Sequence, residues 1–254
     1  MNPISDRLAR LRALMSQHNI SAYFVPTDDF HLSEYVGEHF KARKYMTGFT
    51  GSAGSLVVTP AEAALWVDSR YFIQAARQTA DAPITLMKMG EEGVPTIMEY
   101  LSDKLPEGSA FGFDGRTVSA QWALKAERTL SAKNIALEST LDLVGEIWED
   151  RPPLPVGRAW VLDCGFAGKS AAEKLADVRR AMEAHDADAH VLTSLDDIAW
   201  LLNIRGSDIP CNPVVISYLI VERDCAFLFV DKAKIDDGVA AYLDSLGVRI
   251  LPYN

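Results

Sequence analysis

Cysteine is scarce in this 254-residue chain: Cys164, Cys211 and Cys225 are its only three, odd in number and far apart. That excludes a disulfide framework, which needs paired cysteines, and a zinc site, whose ligands recur at short spacings. Long apolar runs are also missing. The longest, Val214 to Val221, spans eight residues, enough for a buried strand and far short of a membrane span. No apolar stretch of signal-peptide type opens the chain. Positive charge is in deficit, with 25 Lys and Arg against 35 Asp and Glu for a net charge of −10. The basic residues, such as Arg7, Arg10 and Arg12 or Lys41, Arg43 and Lys44, are scattered, whereas phosphate binding needs them clustered. Neither a GxSxG elbow nor an HExxH pair occurs, so no nucleophile or zinc-peptidase motif is at hand. The expectation is a reduced, cytoplasmic globular protein with no nucleic acid or membrane partner.

What is present reads as an α/β protein. Leu8, Leu11, Leu14 and Met15 have helical spacing, with Ser5 or Asp6 as the expected N-cap. A strand over Ala22 to Val25, a hairpin from Ser55 to Val58 and Ala63 to Val67, and alternating helices and strands out to Lys133 follow. Asp150-Arg151-Pro152-Pro153-Leu154-Pro155-Val156-Gly157 then breaks all periodicity, as a stiff extended connection does. The expected domains are 1–150 and 160–254, with a Pro-rich linker over 151–159.

Beyond the linker the first domain starts again. Leu8, Ala9, Arg12, Met15, His18, Ala22 and Asp29 reappear as Leu175, Ala176, Arg179, Met182, His185, Ala189 and Asp196, at a constant offset of 167. Gly51-Ser52 and Gly206-Ser207 each precede a hairpin, ending in Val67-Asp68 and Val230-Asp231. Shared order of elements makes this a repeat rather than a chance identity. The second copy lacks counterparts for the later elements of the first. The expectation is therefore two tandem domains of mixed sheet flanked by helices, the second incomplete and the chain a portion of a longer polypeptide.

Four segments invite a chemical reading. Gly165-Phe166-Ala167-Gly168-Lys169-Ser170 looks like the end of a phosphate loop, but Asp163 stands where that motif needs glycine, so a turn with Ser170 capping the next helix is expected. His31, Glu34, Glu38 and His39 would share one face of a helix and could hold a metal there. Gly37 weakens such a helix, and a polar loop is expected instead. Gly48 to Gly54 precedes a strand, whereas a dinucleotide loop follows one; the glycines suit a tight turn that lets backbone approach another surface. Asp68-Ser69-Arg70-Tyr71 ends a strand, either as a functional group or as a local pair capping the next helix. No complete catalytic constellation emerges.

Phrases along the whole chain resemble the aminopeptidase P branch of the creatinase/prolidase family. They include Gly51-Ser52-Ala53-Gly54, Trp66-Val67-Asp68-Ser69-Arg70-Tyr71-Phe72, Ile147-Trp148-Glu149-Asp150-Arg151-Pro152 and Leu195-Asp196-Asp197-Ile198-Ala199-Trp200-Leu201-Leu202-Asn203-Ile204-Arg205-Gly206-Ser207-Asp208. Ser69 departs from the glycine usual in the second of these phrases. The resemblance implies two creatinase N-terminal-like domains and a further C-terminal catalytic domain. There, two divalent metal ions, usually manganese, activate the water that cleaves before proline. It implies no catalytic residue and no metal ligand in this chain. The implied partners are that catalytic domain, proline-containing peptides and a second subunit in a homodimer. Phe49, Gly51 and Ser52, with Asp29, His31 and Arg70, are the residues implied to face the partner's substrate cleft. Two alternatives stay open: a freestanding peptide- or protein-binding module, and a creatinase- or prolidase-type relative acting on another substrate.

Overall fold

The computed structural model describes residues 2–253, and the chain divides into two compact units, Met1–Pro152 and Pro153–Asn254. In unit 1 the strands are β1 (Ala22–Val25), β2 (Ser55–Val58), β3 (Ala63–Val67), β4 (Thr85–Lys88), β5 (Ala110–Phe113) and β6 (Ala136–Glu138). They form one sheet in the order β4-β3-β2-β1-β5-β6. Only β2 runs against the others, so the carboxyl ends of β1, β3 and β5 lie on one side of the sheet.

Alternation along β1 sorts its side chains between two cores. Tyr23 and Val25 join Leu8, Leu11 and Met15 from helix α1 (Pro3–Gln17). Ala22 and Phe24 face the other way, against Tyr100 and Leu101 of α4 (Ile97–Lys104) and Leu130 of α5 (Ala120–Leu130). With both faces covered and β2 and β5 alongside, all four β1 residues are buried. The remaining helices are α2 (Ala42–Thr47), α3 (Phe72–Gln78) and α6 (Leu143–Ile147). Helix α1 begins earlier than the sequence led us to expect. Asn2 is the N-cap, accepting from the Ile4 amide at 2.9 Å, because Pro3 fits the first helical position, where no amide hydrogen is needed.

Unit 2 repeats part of this plan. Its strands are β7 (Trp160–Val161), β8 (Ala189–Leu192), β9 (Ile204–Arg205), β10 (Ser217–Glu222), β11 (Ala226–Val230) and β12 (Val248–Leu251), and its helices α7 (Cys164–Ala167), α8 (Ala171–Ala184), α9 (Leu195–Leu202) and α10 (Asp237–Ser245). The main sheet, β12-β11-β10-β8, pairs antiparallel, antiparallel and parallel from β8 outward, matching β1 through β4. The inward faces of β10 and β11, Leu219, Val221, Ala226, Leu228 and Val230, are fully buried. Val191, on the opposite face of β8, is 59% exposed. Among the described residues no strand pairs with the outer edge of β8, where unit 1 has β5.

The repeat is closer than identities suggest. Arg7 of α1 lies over the Tyr45 ring, 4.0 Å from its centroid, and donates to the Tyr45 carbonyl at 2.6 Å. Lys174 of α8 does the same at Trp200, 4.6 Å over the ring and 2.7 Å to the carbonyl. Helices α2 and α9 then end on left-handed Gly48 and Asn203. Asp68 and Asp231 each cap the short 3-10 turn after the matching strand.

The pairing of Asp29 with Asp196 does not hold. Asp29 lies in the loop after β1, whereas Asp196 is in the first turn of α9. Unit 1 spends residues 26–41 between β1 and α2, where unit 2 has only Thr193 and Ser194, so the offset of 167 ends at β8. Strand β10 also starts later than the apolar run, because Asp208 takes the Ile216 amide and holds Val214 to Ile216 as a buried loop. Ser170 caps α8 in a reciprocal box with Glu173 as expected, while the glycine segment before it is the short helix α7, capped by Asp163 and closed by left-handed Gly168, rather than a turn alone.

Candidate functional site

The loops following β1, β3 and β5 carry the candidate residues of unit 1. Gly48, at φ 72, closes α2, a conformation in which a Cβ would be strained. The loop then turns the Phe49 side chain inward. Its ring is fully buried with Leu65, Val67 and Ala75 and meets Tyr71 edge-on at 5.7 Å. Gly51 is what makes room: a Cβ there would lie 2.2 Å from the Phe49 ring and 2.7 Å from Tyr71. Phe49 therefore supports the rim from below and does not line it. An aromatic between glycines reads as exposed until the hollow left by Gly51 is seen.

Arg43 fixes the loop from inside. It is 3% exposed, stacks over the Phe49 ring at 4.6 Å and, among the described residues, pairs with no carboxylate. Nε donates to Thr27 Oγ1 at 2.9 Å, Nη1 to the Phe49 carbonyl at 2.7 Å and Nη2 to the Gly51 carbonyl. Thr27 in turn donates to the Gly54 carbonyl at 2.5 Å. Burial without an acidic partner brings the guanidinium down to about 10. On the outer side, the Thr50 amide donates to Gln78 Oε1 at 2.9 Å, and the Ser52 and Tyr71 hydroxyls are 2.7 Å apart. The Ser52 bond, with Arg70 nearby, holds the Tyr71 phenol below its ordinary range. Ser52 and Arg70 are exposed.

Arg70 forms a two-pronged bond with Asp68, at 3.0 and 2.9 Å, while Asp68 also accepts the Arg70 amide. Arg116 and Asp114, after β5, repeat this clasp atom for atom. The local reading of the Asp68-Arg70 phrase is thus present, and it leaves the Arg70 head at the surface.

The long loop after β1 holds the other two candidates inside. Asp29 is fully buried, its Oδ1 accepting the His31 and Ser33 amides at 2.8 and 2.9 Å. His31 is 7% exposed. So Phe49, Gly51, Ser52 and Arg70 gather around Tyr71, while Asp29 and His31 stiffen the neighbouring loop, tied in through Thr27. His31, Glu34, Glu38 and His39 do not share a helix; only Glu38–Phe40 forms a 3-10 turn. His39 Nδ1 lies 2.7 Å from the Pro152 carbonyl and Glu38 pairs with Lys41. Among the described residues no three His, Cys, Asp or Glu side chains are placed to hold a metal ion.

Asp28 is also costly to ionise where it lies. Burial, then the charge of Asp29, raises its carboxyl to about 6. It borders a cavity of about 20 Å³ with Tyr23, Asp114, Asp142 and Arg151, too small for more than one water. A raised acid binds its proton more tightly folded than unfolded, so stability falls as pH climbs from about 4 to about 6. Asp28→Asn, which mimics the protonated form, is expected to gain about 1–2 kcal/mol at pH 7 and nothing at pH 4. Urea unfolding at the two pH values checks this; equal gains at both would point to packing instead.

Tyr71 figures in the sequence pattern only as the end of the Asp68 phrase, and residues with no role of their own in it are Arg43 and Thr27, and in unit 2 Asp208 and Lys234. There, after Gly206-Ser207, Asp208 Oδ2 accepts the Ile216 amide at 2.7 Å and Lys234 Nζ at 2.6 Å, with both side chains almost fully buried.

The first unit matches the sequence profile of the Creatinase/Prolidase N-terminal domain over residues 7–147, and a second profile of the same description covers 150–254. Aminopeptidase P1 of Arabidopsis thaliana is 41% identical over 98% of this chain and 39% of its own length. A probable Xaa-Pro aminopeptidase P of Neurospora crassa is 42% identical, over 98% and 37%. The crystal structure of X-prolyl aminopeptidase from Caenorhabditis elegans, a cytosolic enzyme with a di-nuclear active site, superposes with a TM-score of 0.94 at 37% identity. It covers all of this chain and 43% of the nematode one. The chain thus spans about two fifths of the length of these relatives. Two tandem α/β units, each matched by a profile of the same description, and a match running from end to end lead to one conclusion: the chain belongs to the creatinase/prolidase N-terminal domain family, in the form carried by Xaa-Pro aminopeptidase P proteins.

Proposed function

We propose that this chain is the non-catalytic N-terminal portion of a metal-dependent Xaa-Pro aminopeptidase of the cytoplasm. The observation that carries the reading is the end-to-end match to named aminopeptidases P that are more than twice its length. In this reading a C-terminal domain holds two divalent ions, usually manganese, which activate the water that cleaves the bond before proline. The residues here contribute no ligand and break no bond. Their task is to shape access and assembly: the parent enzyme is a homodimer, and the exposed edge formed by Thr50, Ser52 and Arg70 faces the substrate cleft of the partner subunit. A rim held rigid from below limits that cleft to short peptides and keeps folded proteins out. Support for this placement comes from the way the loops after β1, β3 and β5 converge at one end of the sheet, where α/β proteins put functional groups.

The test compares this chain with the same protein extended through its catalytic domain, both given manganese and a peptide with proline second. The extended protein is expected to release the N-terminal residue and this chain to release none. Turnover by this chain would overturn its non-catalytic role. A silent extended protein would overturn the aminopeptidase assignment.

A further inference from the structure

We propose that Arg43 is a positioning residue: its buried fork sets the shape of the Phe49–Gly54 loop, and through it the reach of the rim. The functional half of this statement rests on the access reading above; the structural half stands without it.

A buried guanidinium ordinarily has a carboxylate beside it, because an unpaired charge is costly to desolvate. Arg43 has none. Its partners are two carbonyls of the loop, Phe49 and Gly51, and Thr27, which itself holds the Gly54 carbonyl. All three contacts therefore end on one short segment or on the residue that braces it. Thr47 closes the set, accepting the Phe49 amide at 3.1 Å and donating to the Arg43 carbonyl at 2.7 Å.

The duplicated frame of unit 2 is built without this arrangement. Tyr45 and Trp200 mark equivalent positions on α2 and α9, which places Ile198 where Arg43 stands. Ile198 is 1% exposed and sits in an ordinary apolar core. Unit 2 ends its helix on a left-handed residue and enters its hairpin with an isoleucine there. The charge in unit 1 is an addition whose contacts go to the rim loop. Lysine cannot replace it, since one ammonium cannot reach three acceptors in the plane of a fork.

The test is amide hydrogen exchange on the intact chain. Phe49 and Thr50 amides bond the loop to Thr47 of α2 and Gln78 of α3, and report on its order. In Arg43→Lys and Arg43→Met their exchange is expected to speed up at least tenfold while β1 to β3 amides keep wild-type rates. Unchanged loop exchange, or equal acceleration in the sheet, would overturn the positioning role. Should both variants fail to fold, Thr27→Val removes one acceptor and one brace. It is expected to give about a threefold acceleration confined to the same amides, and no acceleration overturns the proposal. In the extended enzyme, Arg43→Lys is expected to change the KM ratio of long to short Xaa-Pro peptides at least fivefold with kcat unaltered. Loosened exchange with an unaltered ratio would uphold the latch and remove the access reading.

Discussion

Lys234→Met is expected to lower the stability of unit 2 by about 3–5 kcal/mol, the usual cost of removing one partner from a buried ion pair. Among the described residues the ammonium is the only cation paired with Asp208, whose side chain is fully buried, and Asp208 Oδ1 makes no hydrogen bond there. The carboxylate also holds the Ile216 amide, so its rearrangement would disturb the entry to β10. Urea unfolding that resolves the two units checks this. Combining Lys234→Met with Asp208→Asn is expected to recover part of the loss, since the uncompensated charge is then gone while the amide partner is kept. A double variant as unstable as the two losses added would show that the pair does not act as a unit.

Phe49→Ala is expected to cost unit 1 about 3–5 kcal/mol, as deletion of a fully enclosed aromatic does. The ring fills the space over Leu65, Val67 and Ala75 and carries Arg43 on its other face. Its removal leaves a cavity and strips the guanidinium of its platform. Any change in peptide selectivity in Phe49→Ala would therefore accompany a drop in Tm. Phe49→Leu, which keeps most of the volume, is expected to lose less than half as much. Equal losses for the two would mean that the ring's shape, and not its bulk, holds the loop.

The framework was legible because local pattern and tertiary demand agree in it. Leu8, Leu11 and Met15 share one helical face and all three are buried. Ser170 with Glu173 and Thr96 with Glu99 announce their helices by capping chemistry that needs no distant partner. The duplication was visible where helix and strand keep fixed spacing, and it misled at Asp29 and Asp196, where an inserted loop breaks the count. The site was legible only where it is local, as in the Asp68–Arg70 clasp. Arg43 sits in Lys41-Ala42-Arg43-Lys44, which reads as a solvated stretch, and its burial depends on carbonyls supplied by the loop that follows. Asp208 and Lys234 meet across a hairpin, and no spacing rule connects them. Phe49 points inward because Gly51 has no side chain, a relation between two residues that neither reveals alone.

The paired basic residues on the first helix of each unit, Arg7 over Tyr45 and Lys174 over Trp200, have a consequence for how this protein can be dissected. They mark corresponding points in two descendants of one ancestral fold, so each half serves as an internal control for the other. Features present in both, such as the strand-end aspartates and the left-handed helix caps, belong to the inherited scaffold. The Arg43 fork, whose place Ile198 takes in unit 2, and the loop of residues 26–41 belong to unit 1, and grafting them onto the second would separate what specialisation added from what ancestry supplied.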